Sequence, residues 1–299
     1  MRYDHTMNTR NLRHFLALAE HLHFGQASSA CHISISALSR NIRQLEEELG
    51  VTLFTRDNRS VALTQEGLKF RQYAREATNS WNIIRHQLID NSGQLHGEIS
   101  LYCSVTASYS ILFGLLNRLR NEHSGIEIKL HTGGPEHAIA RVIEGKEEIS
   151  IAAHPGTLSR GVVFKPITTS PLLFIAPLEN SDSGLPELPP ASPEDWTDIP
   201  MILAEGGISR NRIDAFFSAM GVSPRIYAQV AGNEAIVSMV SLGLGVGVVP
   251  EIVLEHSPMT DNIRVLDVQP ELEAYNVGLF TMKKHLKNPL VEAFWGLVN

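Results

Sequence analysis

Two cysteines in 299 residues, Cys31 and Cys103, are too few for a disulfide framework. They fall in segments read below as separate domains, so each is expected to be an unpaired thiol in a reducing, cytoplasmic setting. No apolar run approaches the roughly 20 residues of a membrane span, and no membrane partner is expected. The opening Met1-Arg2-Tyr3-Asp4-His5-Thr6 lacks the apolar stretch of a secretory leader. The 13 histidines show no metal-ligand spacing; His21 and His23 straddle a helix end without a cysteine or carboxylate in pattern, so no metal is expected. Gly243-Leu244-Gly245-Val246-Gly247 is glycine-rich, but it follows a helix and runs into a strand. A phosphate-binding loop does the reverse, so no dinucleotide cofactor is expected. No nucleophile–base pair or paired carboxylates rise above chance, so catalysis is not expected.

A general positive field is missing too, since the net charge is −7. Distribution matters more than the total. Through Leu63 the bases Arg2, Arg10, Arg13, Arg40, Arg43, Arg56 and Arg59 nearly balance Asp4, Glu20, Glu46, Glu47, Glu48 and Asp57. Any nucleic-acid contact in that segment would rely on a few placed arginines.

What is present is a folded composition, 43% hydrophobic and 19% charged, in a chain long enough for two or three domains. Ser34 to Gly50 carries Leu38, Ile42, Leu45 and Leu49 at steps of four, three and four, one stripe of a helix. Ser34 is a plausible N-cap and Gly50 a plausible left-handed end. Ser36, Ser39, Arg40 and Arg43 lie off the stripe, and short hydroxyls beside arginines suit a groove of double-stranded DNA. Asn8 or Thr9 could cap a first helix carrying Leu12, Phe15, Leu16, Ala19 and Leu22. A second helix is expected from about Gln26 to Cys31. Three helices with a tight turn before the third make a helix-turn-helix. Val51–Arg56 and Ser60–Leu63 read as a hairpin, a wing with an arginine-bearing tip.

Thr64 should cap a long helix reaching about Asp90, although Gly67 weakens its first turn. Phe70, Tyr73, Ala77, Trp81, Ile84 and Leu88 recur along it at helical steps. Such a stripe either dimerises the chain or packs on its own chain, and dimerisation is the favoured reading. Asn91-Ser92-Gly93-Gln94 reads as a hinge. From Gly97 strands and helices alternate. Strands are expected at 98–103, 126–130 and 148–152 with helices at 107–122 and 136–144. A second group begins at Leu172-Leu173-Phe174-Ile175-Ala176, and a Pro-rich surface loop spans Leu185 to Pro193. This is an α/β pattern of two lobes with a cleft between them.

By these segments the chain resembles the LysR-type transcriptional regulators. The match is carried by Asn11–Glu20, Phe24-Gly25-Gln26-Ala27, Ser34–Gly50, Leu53-Phe54-Thr55-Arg56 and Leu63-Thr64-Gln65-Glu66-Gly67. The resemblance implies an N-terminal winged helix-turn-helix over 1–63 and a linker or dimerisation helix over 64–92. A two-lobed, periplasmic-binding-protein-like effector domain follows over 93–299, with lobe I at about 97–167 and 269–299 and lobe II at about 168–268. It also implies operator DNA, a small-molecule inducer, RNA polymerase and self-association into dimers and tetramers as partners. Ile35 stands where many members carry a polar base reader. Residues 1 to 6 look like an extension ahead of the family's usual start. A narrower resemblance runs through Cys103–Ala107, Glu127–Leu130, Glu234–Val240 and Pro289–Trp295. It is to the members that activate the acetohydroxy-acid isomeroreductase gene of isoleucine and valine synthesis. It implies an inducer of the acetolactate or acetohydroxybutyrate type. The alternatives are a regulator of another pathway sensing a different small carboxylate, or an enzyme or transport receptor on the same two-lobed fold.

The expected DNA-contacting residues are Gln26, Ser34, Ser36, Ser39, Arg40, Arg43, Asn58 and Arg59. Arg43 could instead pair with Glu46 or Glu47. Expected dimerisation residues are Phe70, Tyr73, Trp81, Ile84 and Leu88. For the inducer, helix starts facing a cleft suit a small carboxylate. That selects Ser104 and Thr106, Thr132, Ser209 and Arg210, and Asn233, though any hydroxyl among them could merely cap its own helix, and Arg210 could pair with Asp214.

Overall fold

The computed structural model describes residues 8–56, 60–89, 94–178 and 184–298. The expected extension, the wing tip and all of the hinge but Gln94 lie outside them. Contacts divide the chain into two compact units. One is Met1–Glu98 with His123–Glu127 and Glu144–Lys146; the other is Ile99–Glu122, Ile128–Ile143 and Glu147–Asn299.

In the first unit α1 (Thr9–His21) starts where Asn8 Oδ1 accepts from the Asn11 amide at 2.9 Å. It buries Leu12, Phe15, Leu18 and Ala19 at helical spacing. α2 (Phe24–Ala30) begins two residues earlier than expected, because His23 Nδ1 caps the Gly25 and Gln26 amides. α3 (Ile35–Leu49) is capped by Ser34 Oγ on the Ala37 amide and ends at Gly50, φ +69°. Leu38, Ile42 and Leu45 are fully buried, whereas Leu49, the last of the expected stripe, is exposed. β1 (Phe54–Arg56) pairs antiparallel with β2 (Val61–Leu63), Phe54 opposite Leu63.

α4 (Gln65–Ile89) begins at Thr64, whose hydroxyl accepts from the Gly67 amide at 2.9 Å and donates to the Thr52 carbonyl at 2.7 Å. Gly67 has a reason beyond propensity: a Cβ there would lie 2.1 Å from the Leu53 carbonyl oxygen. The apolar stripe of α4 splits. Phe70 stacks edge-on against Phe15 with centroids 4.8 Å apart, and Phe70, Ala74 and Ala77 join the core of the three-helix domain. Tyr73, Trp81 and Ile84 are about half exposed. Phe70, grouped by sequence with the dimerisation stripe, therefore serves its own domain's core. The side chain of Leu88 lies outside what the structure describes.

α1 and α3 are also pinned by a polar pair. Buried His14 presents Nδ1 to the side-chain Nδ2 of Asn41 at 2.9 Å. Burial first, and Arg10 second, hold its pKa below the ordinary 6.5.

The second unit is built on β3 (Gly97–Cys103), α5 (Val105–Ala107), a π-wound turn at Ser108–Leu112 and α6 (Phe113–Glu122). It continues through β4 (Ile126–Thr132), α7 (Ala138–Ile143), β5 (Ile149–Ala153), β6 (Val162–Pro177), β7 (Pro200–Ala204), α8 (Gly207–Ala219) and β8 (Arg225–Val230). Then come α9 (Asn233–Ser241), β9 (Val246–Pro250), α10 (Glu251–Glu255), β10 (Ile263–Leu266), β11 (Leu272–Met282) and α11 (Pro289–Gly296). The sheet order is β4-β3-β5-β11-β6-β9-β7-β8, with β10 also on β6. β3 and β5 run parallel, as do β7 with β8 and β9, and crossover helices connect these strands as the alternation predicts.

β6 runs unbroken through the expected lobe boundary at 167/168 and pairs antiparallel with β11 from Val162–Met282 to Leu172–Leu272. Pro166 and the polar run Thr168-Thr169-Ser170 hid its first ten residues, so that only 172–176 was expected. The register shifts there, where Gly278 lets the Lys165 carbonyl approach to 2.1 Å of where a Cβ would stand. Beyond that point side chains alternate between two cores. Leu172, Phe174 and Ala176 join Trp196, Phe216 and Phe217, while Ile175 joins Ile202, Ile236 and Val240. The 243–247 loop makes the tight packing expected of it: a Cβ on Gly247 would lie 2.4 Å from Ile236.

Two outcomes follow. Gly67→Ala should destabilise the first unit by about 1–3 kcal/mol, since backbone must move to admit one methyl; an unchanged chemical-denaturation midpoint would refute the close approach. Because the folded pKa of His14 is depressed, its contribution to stability is present above the ordinary histidine value and is lost as pH falls below it. Protection factors for amide exchange in α1 and α3, corrected for the intrinsic pH dependence of exchange, should therefore fall between pH 7 and about pH 5 in the wild type. His14→Gln, which keeps an acceptor and does not titrate, should flatten that slope; parallel slopes would count against the pair.

Candidate functional site

α3 presents a face distinct from its buried stripe. Ser34, Ile35, Ser36, Arg40, Arg43 and Gln44 are exposed and Ser39 is half-buried. Ser36, Ser39, Arg40 and Arg43 recur at three- and four-residue steps, so they share one side of the helix. Ser34 Oγ and Ser36 Oγ lie 3.0 Å apart. Among the described residues neither Arg40 nor Arg43 enters an ion pair.

Glu46, one of the two expected alternative partners of Arg43 beside Glu47, is committed elsewhere. Its Oε1 accepts from the Leu53 and Phe54 amides at 2.8 and 3.1 Å, and its Oε2 from Arg56 at 2.7 Å. Arg56 also covers the Phe24 ring, 5.2 Å from its centroid. One carboxylate thus ties α3, the wing and α2 together, and leaves the α3 arginines uncompensated. Gln26 has an exposed side chain, but its amide is taken by the His23 cap and is not free for a phosphate. Asn58 and Arg59 lie outside the described residues.

The second unit encloses a cavity of about 240 Å³. Its walls come from the ends of β3, β5, β7, β8 and β9 and from the middle of β11, the carboxyl-end position where α/β sheets bind ligands. Ser104, Thr106, Ser209 and Asn233 line it, together with Glu136, Glu205, Asn211 and Tyr275. Ile151, Ala152, Val253 and Val277 supply apolar wall. No lysine or arginine is among the described lining residues.

Two expected residues stand apart from this lining. Thr132 is exposed at the end of β4. Arg210 turns away, because Asp214 holds its Nε at 2.8 Å and Gln229 and the Ala204 carbonyl take its Nη1. Ser104 caps its helix, accepting from the Ala107 amide at 3.2 Å.

Sequence reasoning passed over Glu234. From the first turn of α9 its Oε1 accepts the Thr106 amide at 2.9 Å and the Thr106 hydroxyl as well. An acid at that position reads as a favourable charge for its own helix, which hides a contact with a residue 128 positions earlier. Tyr275 was missed as a cavity residue; burial, more than Ser209 and Arg212 can offset, raises its phenol pKa. Cys103 beside Ser104 is a free thiol pushed up to about 12 by burial, so it stays protonated and unreactive at neutral pH.

No helix among the described residues is long and apolar enough to cross a membrane, and no cluster of His, Cys, Asp or Glu among them could hold a metal.

Comparison with known proteins matches residues 9–68 to the bacterial regulatory helix-turn-helix protein, lysR family, and residues 92–299 to the LysR substrate binding domain. The HTH-type transcriptional activator IlvY of Salmonella typhimurium is 40% identical over 300 residues, covering 98% of this chain and 99% of that protein. IlvY of Escherichia coli K12 is 41% identical over the same length and coverage. Among solved structures, a full-length OxyR variant from Pseudomonas aeruginosa superposes with a TM-score of 0.70 at 22% identity, covering 98% of this chain and 95% of that one. Full-length CbnR in complex with its target DNA gives 0.62 at 21%, covering 98% and 99%. At that identity these two establish the fold. The family models and the IlvY proteins establish the rest: the chain belongs to the LysR family and is an IlvY-like, DNA-binding transcriptional activator.

Proposed function

We propose that this chain activates isoleucine–valine biosynthesis, at the acetohydroxy-acid isomeroreductase gene, in response to acetolactate or acetohydroxybutyrate. The observation that carries the proposal is the full-length identity with IlvY proteins, 40% over 98% of the chain. DNA is read by the exposed side of α3, with Arg40 and Arg43 uncompensated and Ser36 and Ser39 beside them. Asn58 and Arg59, outside the described residues, complete the proposed set of DNA-contacting residues. Tyr73, Trp81 and Ile84 of α4 form the face that pairs with a second copy, dimers pair into tetramers, and RNA polymerase is the downstream partner.

The cavity chemistry supports this inducer class. An acetohydroxy acid carries one carboxylate, one tertiary hydroxyl, one ketone and small alkyl groups. With no lysine or arginine in the described lining, its carboxylate would be met by N–H and O–H donors such as Thr106 and Ser209. Its hydroxyl can donate to Glu136 or Glu205, and its ketone can accept from Asn211 or Asn233. The apolar wall takes the alkyl groups, at about 0.8 kcal/mol for each CH₂ buried. Inducer binding would shift a population of lobe arrangements and so change how the oligomer bends its operator.

Gel shifts and footprints on the chain's own upstream intergenic DNA, with and without acetolactate, test the whole proposal. The protein should bind without inducer and change its footprint with it; a response to some other small acid alone would point to a different pathway. Arg40→Ala should weaken operator binding and flatten its salt dependence by about one unit of log–log slope. Wild-type binding by that variant would displace the DNA face from α3. Trp81→Asp should yield monomers or insoluble protein, because a large aromatic is typically worth about 1.5–3 kcal/mol on burial. A soluble, unchanged oligomer in sedimentation would remove α4 from the interface.

A further inference from the structure

The cavity reading leaves one contact unexplained. The donors best placed to receive an inducer carboxylate, the Thr106 amide and hydroxyl, already hold one from the chain itself. We propose that Glu234 is a built-in competitor, a carboxylate latch across the cavity that an incoming acid must displace. The inference rests on the inducer site just proposed and concerns its regulation.

Four features carry it. Thr106 is 3% exposed and lines the cavity, as does Asn233, the residue before Glu234. The contact joins opposite sides of the sheet path: Thr106 follows β3, whereas Glu234 opens α9, between β8 and β9. The latch is shaped from both ends. Glu234 Oε2 folds back to 3.2 Å from where a Cβ on Gly232 would stand, and Gly232 has φ +89°, a turn that favours glycine. Last, no lysine or arginine among the described lining residues could hold two carboxylates together. Two like charges on one pair of donors repel, so binding must be an exchange.

Exchange has two consequences. Affinity for an acid is lowered by the fraction of molecules latched. Each binding event also breaks the bond between the two sides of the cavity, which couples occupancy to lobe geometry without a separate relay. A neutral ligand would gain nothing from the exchange and would leave the latch closed.

The test compares full-length wild type, Glu234→Gln and Glu234→Asp. Gln keeps the shape without the charge; Asp keeps the charge but falls one methylene short. Calorimetry with acetolactate should show about tenfold tighter binding or more in both variants, the scale set by losing a charge-assisted competitor. Without ligand, hydrogen exchange at the amides of 105–108 should quicken in both, while exchange in β6 and β11 stays as in wild type and so reports an intact fold. Acetolactate bound by wild type but no more tightly by either variant would overturn the latch and leave the inducer site standing. Acetolactate bound by the variants alone would support the latch in its strongest form. No binding to any of the three would overturn both the latch and the inducer site.

Discussion

The pairing of β6 with β11 is the constraint on which the second unit depends. β6 is 16 residues long and β11 is 11, and each contributes to the sheet on both sides of its midpoint. β5 pairs with the Thr281 end of β11, while β9 pairs with the Leu172 end of β6. The cavity lies where the ribbon passes from one flank to the other, and Tyr275 and Val277 of β11 line it there. A bulge at Gly278 sits beside that crossing, so the irregularity in the ladder coincides with the functional cleft. Through these two strands the flank carrying β5 and the flank carrying β9 belong to one continuous sheet.

In the first unit one carboxylate has a comparable role. Glu46 is bound by two wing amides and by Arg56, which in turn lies over Phe24. A chain of net charge −7 can still face DNA because an acid near the recognition helix is consumed by the wing. Arg40 and Arg43 of that helix stay exposed and enter no ion pair among the described residues.

The elements were legible wherever one period ruled. The three helices, the wing strands, the Ser34, Thr64 and Asn8 caps and the βαβαβ order followed from spacing and cap chemistry. What escaped depended on distant partners. Only the 172–176 end of β6 was expected, because Pro166 and its polar neighbours obey the bulge, which only β11 reveals. β10 and α10 are short, and their apolar residues report burial without a clear period. Phe70 belongs by spacing to the exposed stripe of α4 and by contact to Phe15. At the cavity, hydroxyls near helix starts were recognisable, four of the six selected residues line it, and Arg210 left the set because Asp214 lies one turn away. Glu234 could not be found locally: its partner is chosen by the fold.

The division of α4 into two faces carries a mechanical consequence. Phe70, Ala74 and Ala77 fix the rotation of the helix against the recognition domain, and Tyr73, Trp81 and Ile84 point wherever that rotation sends them. A helix turns roughly 100° per residue. The spacing between Ala77 and Trp81 is therefore an angular gauge: one residue added or removed there would swing Trp81 and Ile84 by more than a quarter turn away from Tyr73 and part Asn82 from Arg13, while Phe70, Ala74 and Ala77 stay in the core of the recognition domain.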